Sequence, residues 1–481
     1  MRGPGGAAGG SRPGPWHRDR ALWLILGGSL VLKLVLAAIE HGAAAVLDER
    51  AYLALARGLA EGRPYLDTFR PPLYPAFLAA MLAAGLGTAG VWAGQAILST
   101  VSTVFIYRIG ARLDAPRTGR IAALIFAFDP VLVSFTHRLW SETVFLFFLL
   151  AVLDLLTARP RRRGLAWAAA GLSLGLAGLT RPMILTFAPL LLPWAWWQAR
   201  KDTRDSGWPG RFVLLAVACA AVVLPWTARN ARVTGGFVLV DSNGPFNFLV
   251  GTQPAAAFVD KDDFWSARYG RVDGVAYKDR VLEDAKGAQR AAVDAALANI
   301  RHAPGLFVRK TLWEAGHLWT LDSFALRHLR NGWTRRSPPG WGVALITLAS
   351  AGFWVGLVVA GFAGLAGMPR SGLRGLALLL AAHSTVLFGL TYALSRYAVP
   401  LHAVLALPAA WLLASPRARL RLGWSGRPVS RRVLLAASLG FVAVAWARDL
   451  PLLGDMVLHG GSAHRFHMET EAALEAPETI P

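Results

Sequence analysis

Apolar runs separated by short polar segments recur along almost the whole chain. They are Ala21 to Ile39, Val91 to Tyr107, Ile121 to Phe135, Thr143 to Ala158, Leu165 to Leu179, Met183 to Trp197, Phe212 to Trp226, Val343 to Leu365, Leu376 to Tyr392, Val399 to Leu413 and Val433 to Ala447. A spanning helix needs roughly 20 predominantly apolar residues, so the pattern predicts an all-α polytopic membrane protein, with ends defined to within about a turn. A twelfth run, Pro72 to Gly87, is ambiguous.

Charge resolves the ambiguity. Of the 50 Lys and Arg residues, 24 fall in six segments: before Ala21, Arg108 to Arg120, Arg159 to Arg163, Arg200 to Arg211, Arg370 to Arg374 and Arg417 to Arg432. The short loops between them hold one basic residue each, Arg138, Arg181 and Arg396. Short cytoplasmic loops collect Lys and Arg, and this asymmetry is consistent only if Pro72 to Gly87 lies on the surface as a half-buried helix. The expectation is therefore eleven spans, with the N-terminus inside and the C-terminus outside. A signal peptide ending at Ala43 and Ala45 is the competing reading, but its apolar region would be too long.

Composition agrees. Residues of the AVILMFWYC set make up 54% of the 481 and charged residues only 16%, against roughly 25% in soluble domains, which excludes a cytosolic enzyme. The net charge of +21 would suggest nucleic acid in a soluble protein, but here the membrane topology accounts for it and no nucleic-acid partner is expected. The single Cys219 lies inside an apolar run and offers neither a disulfide nor a metal cage.

On this topology the outward face carries a loop at 41–90, a cap at 227–340 with 16 basic and 11 acidic residues, and a C-terminal tail. Helical patterning is expected around Lys278 to Ile300, and an aromatic stretch runs from Leu306 to Phe324. Residues 1–20 are expected to be a cytoplasmic, disordered N-terminus and residues 21–413 the main membrane domain. Residues 414–481 are expected to supply a basic cytoplasmic loop, the last span and a loose tail.

Candidate chemistry gathers on that outward face. Asp48 and Glu49 follow the first span in LDERAYLALARG, where Asp48 could equally serve as a helix N-cap. TFRPPLYP follows with Arg70 and Tyr74, then THRLWSET with Arg138 and Glu142, GLTRP with Arg181, PWTARNARV with Arg229 and Asn230, and LSRYAVP with Arg396 and Tyr397. Arginines converging on the side normally depleted of them point to an anionic ligand, most naturally a lipid phosphate held by guanidinium forks. His41, His137, Glu142, His317 and Asp322 also face outwards, but their spacing matches no metal motif, and no DxD stands in the outward loops. A divalent metal is possible without being indicated, and no cofactor is assigned. Asp129 and His383 are ionisable residues inside spans.

The succession DE, Tyr52, RPPLYP, RLWSE, GLTRP, PWTARN and SRYAVP resembles the bacterial GT-C membrane glycosyltransferases, relatives of protein O-mannosyltransferases and of the aminoarabinose transferase that modifies lipid A. The resemblance covers roughly Ala21 to Leu413. It implies a polyprenyl-phosphate-linked sugar donor, a lipid, glycan or protein acceptor, inverting single displacement and an active site on the extracytoplasmic face of a bacterial inner membrane. It implies Asp48 as catalytic base, with Glu49 beside it; Glu142 of RLWSE is a further candidate catalytic carboxylate on the motif reading. It puts Arg70 on the donor phosphate with Arg229 and Arg396 lining the same pocket; the converging-arginine reading adds Arg138 and Arg181 as donor-phosphate candidates, and Tyr52, Tyr74, Asn230 and Tyr397 are candidate substrate-pocket residues. The lipid A transferases carry Lys where Arg70 stands, and nothing in 227–340 looks like the β-trefoil insert of the protein mannosyltransferases. A transporter of polyprenyl-linked lipid, or an oligosaccharide polymerase or ligase, are the alternatives. The first predicts inverted repeats, which are not evident, and the second basic pairs in the large loop.

Overall fold

The computed structural model describes residues 16–158, 160, 162–201, 207–254, 271–272, 275–414 and 429–460. The Gly-rich start, most of the basic segment after Ala414, the Asp262–Asp263 pair and the tail after Gly460 lie outside the described residues. The helices are, in order, α1 (Arg20–Glu40), α2 (Asp48–Ala60), α3 (Leu73–Ala83), α4 (Gly87–Leu113), α5 (Pro116–Ala127), α6 (Pro130–Ser134), α7 (Glu142–Thr157), α8 (Arg163–Thr180), α9 (Leu191–Lys201) and α10 (Trp208–Thr234). Then come α11 (Asn243–Thr252), α12 (Tyr277–Glu283), α13 (Ala285–His302), α14 (Pro304–His317), α15 (Phe324–Arg330), α16 (Gly340–Gly367), α17 (Gly372–Leu390), α18 (Val399–Ala414) and α19 (Val429–His459). Two-residue strands, Arg271–Val272 and Val275–Ala276, form a small antiparallel pair before α12.

The protein is an all-α polytopic membrane protein. Among the described residues seven helices are long and apolar enough to cross a membrane, or eight if the α5–α6 pair is one bent span. The helices α7, α8 and α9 fill the remaining apolar runs without meeting that length and hydropathy. α3, the ambiguous run, is an apolar helix of 11 residues, too short to cross.

Three local departures from the apolar runs shape the site. The run Ile121 to Phe135 is broken at Phe128 and Asp129, with a bend of 52°. Pro130 starts α6, and the Asp129 carboxylate caps it by accepting from the Val131 and Leu132 amides at 2.9 and 3.2 Å. The other Asp129 oxygen meets His402 Nδ1 at 2.7 Å, and the His402 ring stacks on Trp354 at 4.0 Å. The run beginning at Met183 opens as 3-10 turns after Pro182 before α9 forms. α10 passes through Pro225 and continues beyond the apolar run to Thr234, so Arg229 and Asn230 stand on a helix. α8 and α10 pack through glycine: a Cβ on Gly171 would lie 2.2 Å from the Leu215 carbonyl oxygen, so only glycine fits there.

Candidate active site

The chain turns sharply out of α1. Leu47 adopts φ 47°, a left-handed value that L side chains rarely take, and α2 begins at the next residue. The helix cap expected of Asp48 is not made. Glu49 instead binds the turn: its carboxylate accepts from the Val46 amide at 3.0 Å and from the Leu139 amide at 2.9 Å. Asp48 is thereby left to face two cations. Arg70 Nη2 donates to its Oδ1 at 2.9 Å, and Arg396 Nη1 to its Oδ2 at 3.1 Å. The three side chains keep 29%, 20% and 16% of their surface accessible, so the group opens to one side.

Each guanidinium is held from behind. Asp67 accepts from the Phe69 and Arg70 amides at 2.6 and 2.8 Å, Tyr65 OH donates to the Arg70 carbonyl at 2.9 Å, and the Arg70 guanidinium lies 5.8 Å from the Tyr52 ring centre. Arg396 lies over Trp140 at 4.5 Å and 5.7 Å from the Tyr397 ring. Such faces hold a guanidinium while leaving its edge free to bind. The cap region reaches the same loop: Ser242 N donates to the Thr68 carbonyl at 2.8 Å, and Phe69 packs on Phe246 at 5.0 Å.

The remaining expected residues are distributed around this centre. Arg181 pairs with buried Glu142 and lies 5.4 Å from the Tyr397 ring. The second Glu142 oxygen has no hydrogen-bond partner among the described residues, and the side chain lines a narrow cavity with Ser99, Ser102 and Thr143. Arg138 is buried, donating to Glu40 at 2.9 Å and to the Trp333 carbonyl at 2.8 Å. Arg229 lies over Trp226 at 4.6 Å and donates to Asn230 at 2.8 Å. Asn230 is fully buried and donates to the Val238 and Val240 carbonyls at 3.1 and 2.9 Å. Tyr74 is also fully buried and donates to Gln95, whose amide donates to the Phe135, Thr136 and Arg138 carbonyls at 3.3, 3.1 and 2.8 Å. Tyr52 packs edge-on against Tyr74 at 5.0 Å. Gln95, Asp67 and Trp140 were not singled out in the sequence; a glutamine inside an apolar helix was the one available signal.

Electrostatics separate the two adjacent carboxylates. Burial pushes Asp48 up, but the Arg396 and Arg70 charges outweigh it and hold the carboxyl below its ordinary range. Burial raises Glu49, which its two amide hydrogen bonds only partly offset. Burial likewise pushes the Tyr52 phenol up to about 12. Among the described residues no three His, Cys, Asp or Glu side chains come together as a metal-ion set; His317 stacks on Trp313 at 5.1 Å, and Asp322 pairs with Arg330 at 2.8 Å.

Comparison with known proteins follows the same lines. No curated protein matches the chain in sequence. The profile of the dolichyl-phosphate-mannose-protein mannosyltransferase family matches residues 69–226, from the Arg70 loop into α10. The archaeal oligosaccharyltransferase AglB from Archaeoglobus fulgidus, solved with an inhibitory peptide and a dolichol-phosphate, superposes with a TM-score of 0.51 at 15% identity, over 93% of this chain and 56% of AglB. This chain thus spans little more than half the length of that protein. ArnT from Cupriavidus metallidurans bound to undecaprenyl phosphate gives 0.40 at 16% identity, over 83% of this chain and 79% of ArnT. The chain thus shares a helical fold with AglB, and its residues 69–226 resemble the dolichyl-phosphate-mannose-protein mannosyltransferases.

Proposed function

We propose that this chain transfers a sugar from a polyprenyl-phosphate-linked donor to an acceptor hydroxyl on the extracytoplasmic face of a bacterial cytoplasmic membrane, by single displacement with inversion. The observation that carries the proposal is the Asp48 carboxylate held between the Arg70 and Arg396 forks, with one side open. A carboxylate between two forks occupies the place and meets the donors that a phosphate would. The mannosyltransferase profile over 69–226 and the dolichol-phosphate in the AglB structure support that choice of anion.

The chemistry follows from the exchange of anions. Donor phosphate draws Arg70 and Arg396 towards itself, and with both cations engaged by the phosphate the Asp48 pKa rises towards the value of a working base. Asp48 then takes the proton of the acceptor hydroxyl as its oxygen attacks the anomeric carbon. The bond from that carbon to phosphate oxygen breaks, and the electron pair leaves on polyprenyl phosphate, whose charge the two arginines stabilise. Arg181 with Glu142, adjacent through Tyr397, flanks the pocket. Arg138 and Asn230 are instead buried and bonded to the Trp333 and Val238 carbonyls, away from Asp48.

Binding of undecaprenyl phosphate to the full chain in nanodiscs tests this. Arg70→Ala and Arg396→Ala should each weaken it by about tenfold to a hundredfold, the scale of one charged hydrogen bond. Lys at either position should restore only part, having lost the fork. Asp48→Asn should bind at least as well as the native chain, because the competing carboxylate is gone. Unchanged binding in both alanine variants would remove the phosphate site.

A further inference from the structure

The loop that delivers Arg396 is gripped by the helices of the 235–339 segment. α17 ends at Leu390, and its last carbonyls lack helical partners. Lys310 of α14, only 2% exposed, inserts its ammonium there, donating to the Gly389 and Leu390 carbonyls at 3.0 and 3.2 Å and to that of Thr391. A cation at a helix C-terminus is favoured both as hydrogen-bond donor and by the helix dipole. One turn further along α14, fully buried Glu314 accepts from the Ala393 amide at 2.9 Å. α11 holds the same stretch: Tyr392 OH donates to Asn247 at 3.0 Å, and Gly251 lies so close that a Cβ would stand 2.2 Å from the Thr391 oxygen. Only Leu394 and Ser395 separate the gripped residues from Arg396, so at roughly 3.3 to 3.6 Å per residue a shift of the grip is passed on within about 10 Å of chain.

We propose that Lys310 and Glu314 are positioning residues that hold Arg396 in register with Asp48, so that the seating of α14 on the 389–393 loop sets the strength of the anion site. This rests on the reading of Arg396 as a phosphate ligand. It goes beyond that reading by assigning a role to two buried charges that contact neither Asp48 nor Arg70, and by making the segment around α14 a determinant of donor affinity.

The test is a double-mutant cycle on the full chain in nanodiscs, with undecaprenyl phosphate as probe and a thermal melt of each variant as the folding check. Lys310→Met should weaken binding about tenfold, and Lys310→Arg, which keeps charge and donors, should recover most of the loss. Lys310→Met combined with Arg396→Ala should bind no more weakly than Arg396→Ala alone, within about twofold, because the lysine acts through the arginine. If Lys310→Met does not yield folded protein, Glu314→Gln enters the same cycle, with an expected loss of about threefold. Fully additive losses would overturn the proposal, as would native affinity in Lys310→Met while Arg396→Ala binds weakly; in both cases the phosphate site itself stands. Native affinity in Lys310→Met and Arg396→Ala alike would overturn the proposal, and with Arg70→Ala native as well the phosphate site would go with it.

Discussion

At the scale of single residues, neighbours with the same chemistry take different duties because of what each faces. Asp48 meets two guanidinium groups and stays ionised, whereas Glu49 is spent on two backbone amides. A third carboxylate gives a sharp pH prediction. Asp241, beside the Arg70 loop, is pushed up to about 7, by burial first and by Asp67 as well, against the lowering effect of its hydrogen bonds to Asn243. In the unfolded chain it titrates near 3.9, so between about pH 4 and pH 7 the native state binds the extra proton, and stability is lost as pH rises through that window. Asp241→Asn should flatten the fall in melting temperature across this range and be the more stable form at pH 8. Parallel curves would contradict it. Asp48 meets Arg396 across 348 positions, two residues that stand in short motifs on the face expected to be poor in arginine. Motifs do not say which way a side chain turns. Tyr74 and Asn230 share those motifs, yet both are buried and bonded to Gln95 and to the Val238 and Val240 carbonyls. Trp140 is the platform for Arg396 with no pattern of its own to mark it.

Between elements, close helix packing rather than hydrophobic pattern fixes the arrangement. Lipid offers apolar side chains as good an environment as a neighbouring helix, so contact depends on backbone approach over small residues. Gly171→Val should therefore force α8 from α10 and lower the melting temperature, at a cost of about 1 to 3 kcal/mol typical of overpacking. Gly352→Val in α16, where a Cβ would meet nothing within 4 Å, is the control and should melt like the native chain. Equal melting of the two variants would mean that the α8–α10 contact is not close-packed. Hydropathy made most helices readable. It did not show that Ile121 to Phe135 is bent, although Asp129 followed by Pro130 carries the cap and the first helical position in two letters. Nor did it show α10 continuing to Thr234, since apolarity stops at Trp226 while helix hydrogen bonding does not.

For the molecule as a whole, two sets of ion pairs lie at opposite ends of α1 and its neighbours. Asp19 with Arg120, and Asp154 with Arg108 and Arg112, mark one end, and the Asp48 cluster marks the other. If the first end is cytoplasmic, a cysteine replacing Arg290, exposed on α13, should react with an impermeant thiol reagent applied outside intact cells, and one replacing Ala418 should not. A reversed pattern would place the site on the wrong face for a polyprenyl-phosphate sugar displayed outside. The most direct measurement of the central claim works whichever sugar is carried: lipid extracts, analysed by mass spectrometry, of cells whose only copy of this chain carries Asp48→Asn. A base that no longer accepts the acceptor proton slows transfer by roughly a hundredfold to ten-thousandfold while the donor still binds. One polyprenyl-phosphate-linked sugar should accumulate in the variant and fall again when the native chain is restored. A lipid pool indistinguishable from that of native cells, with the variant expressed at native level, would contradict the assignment.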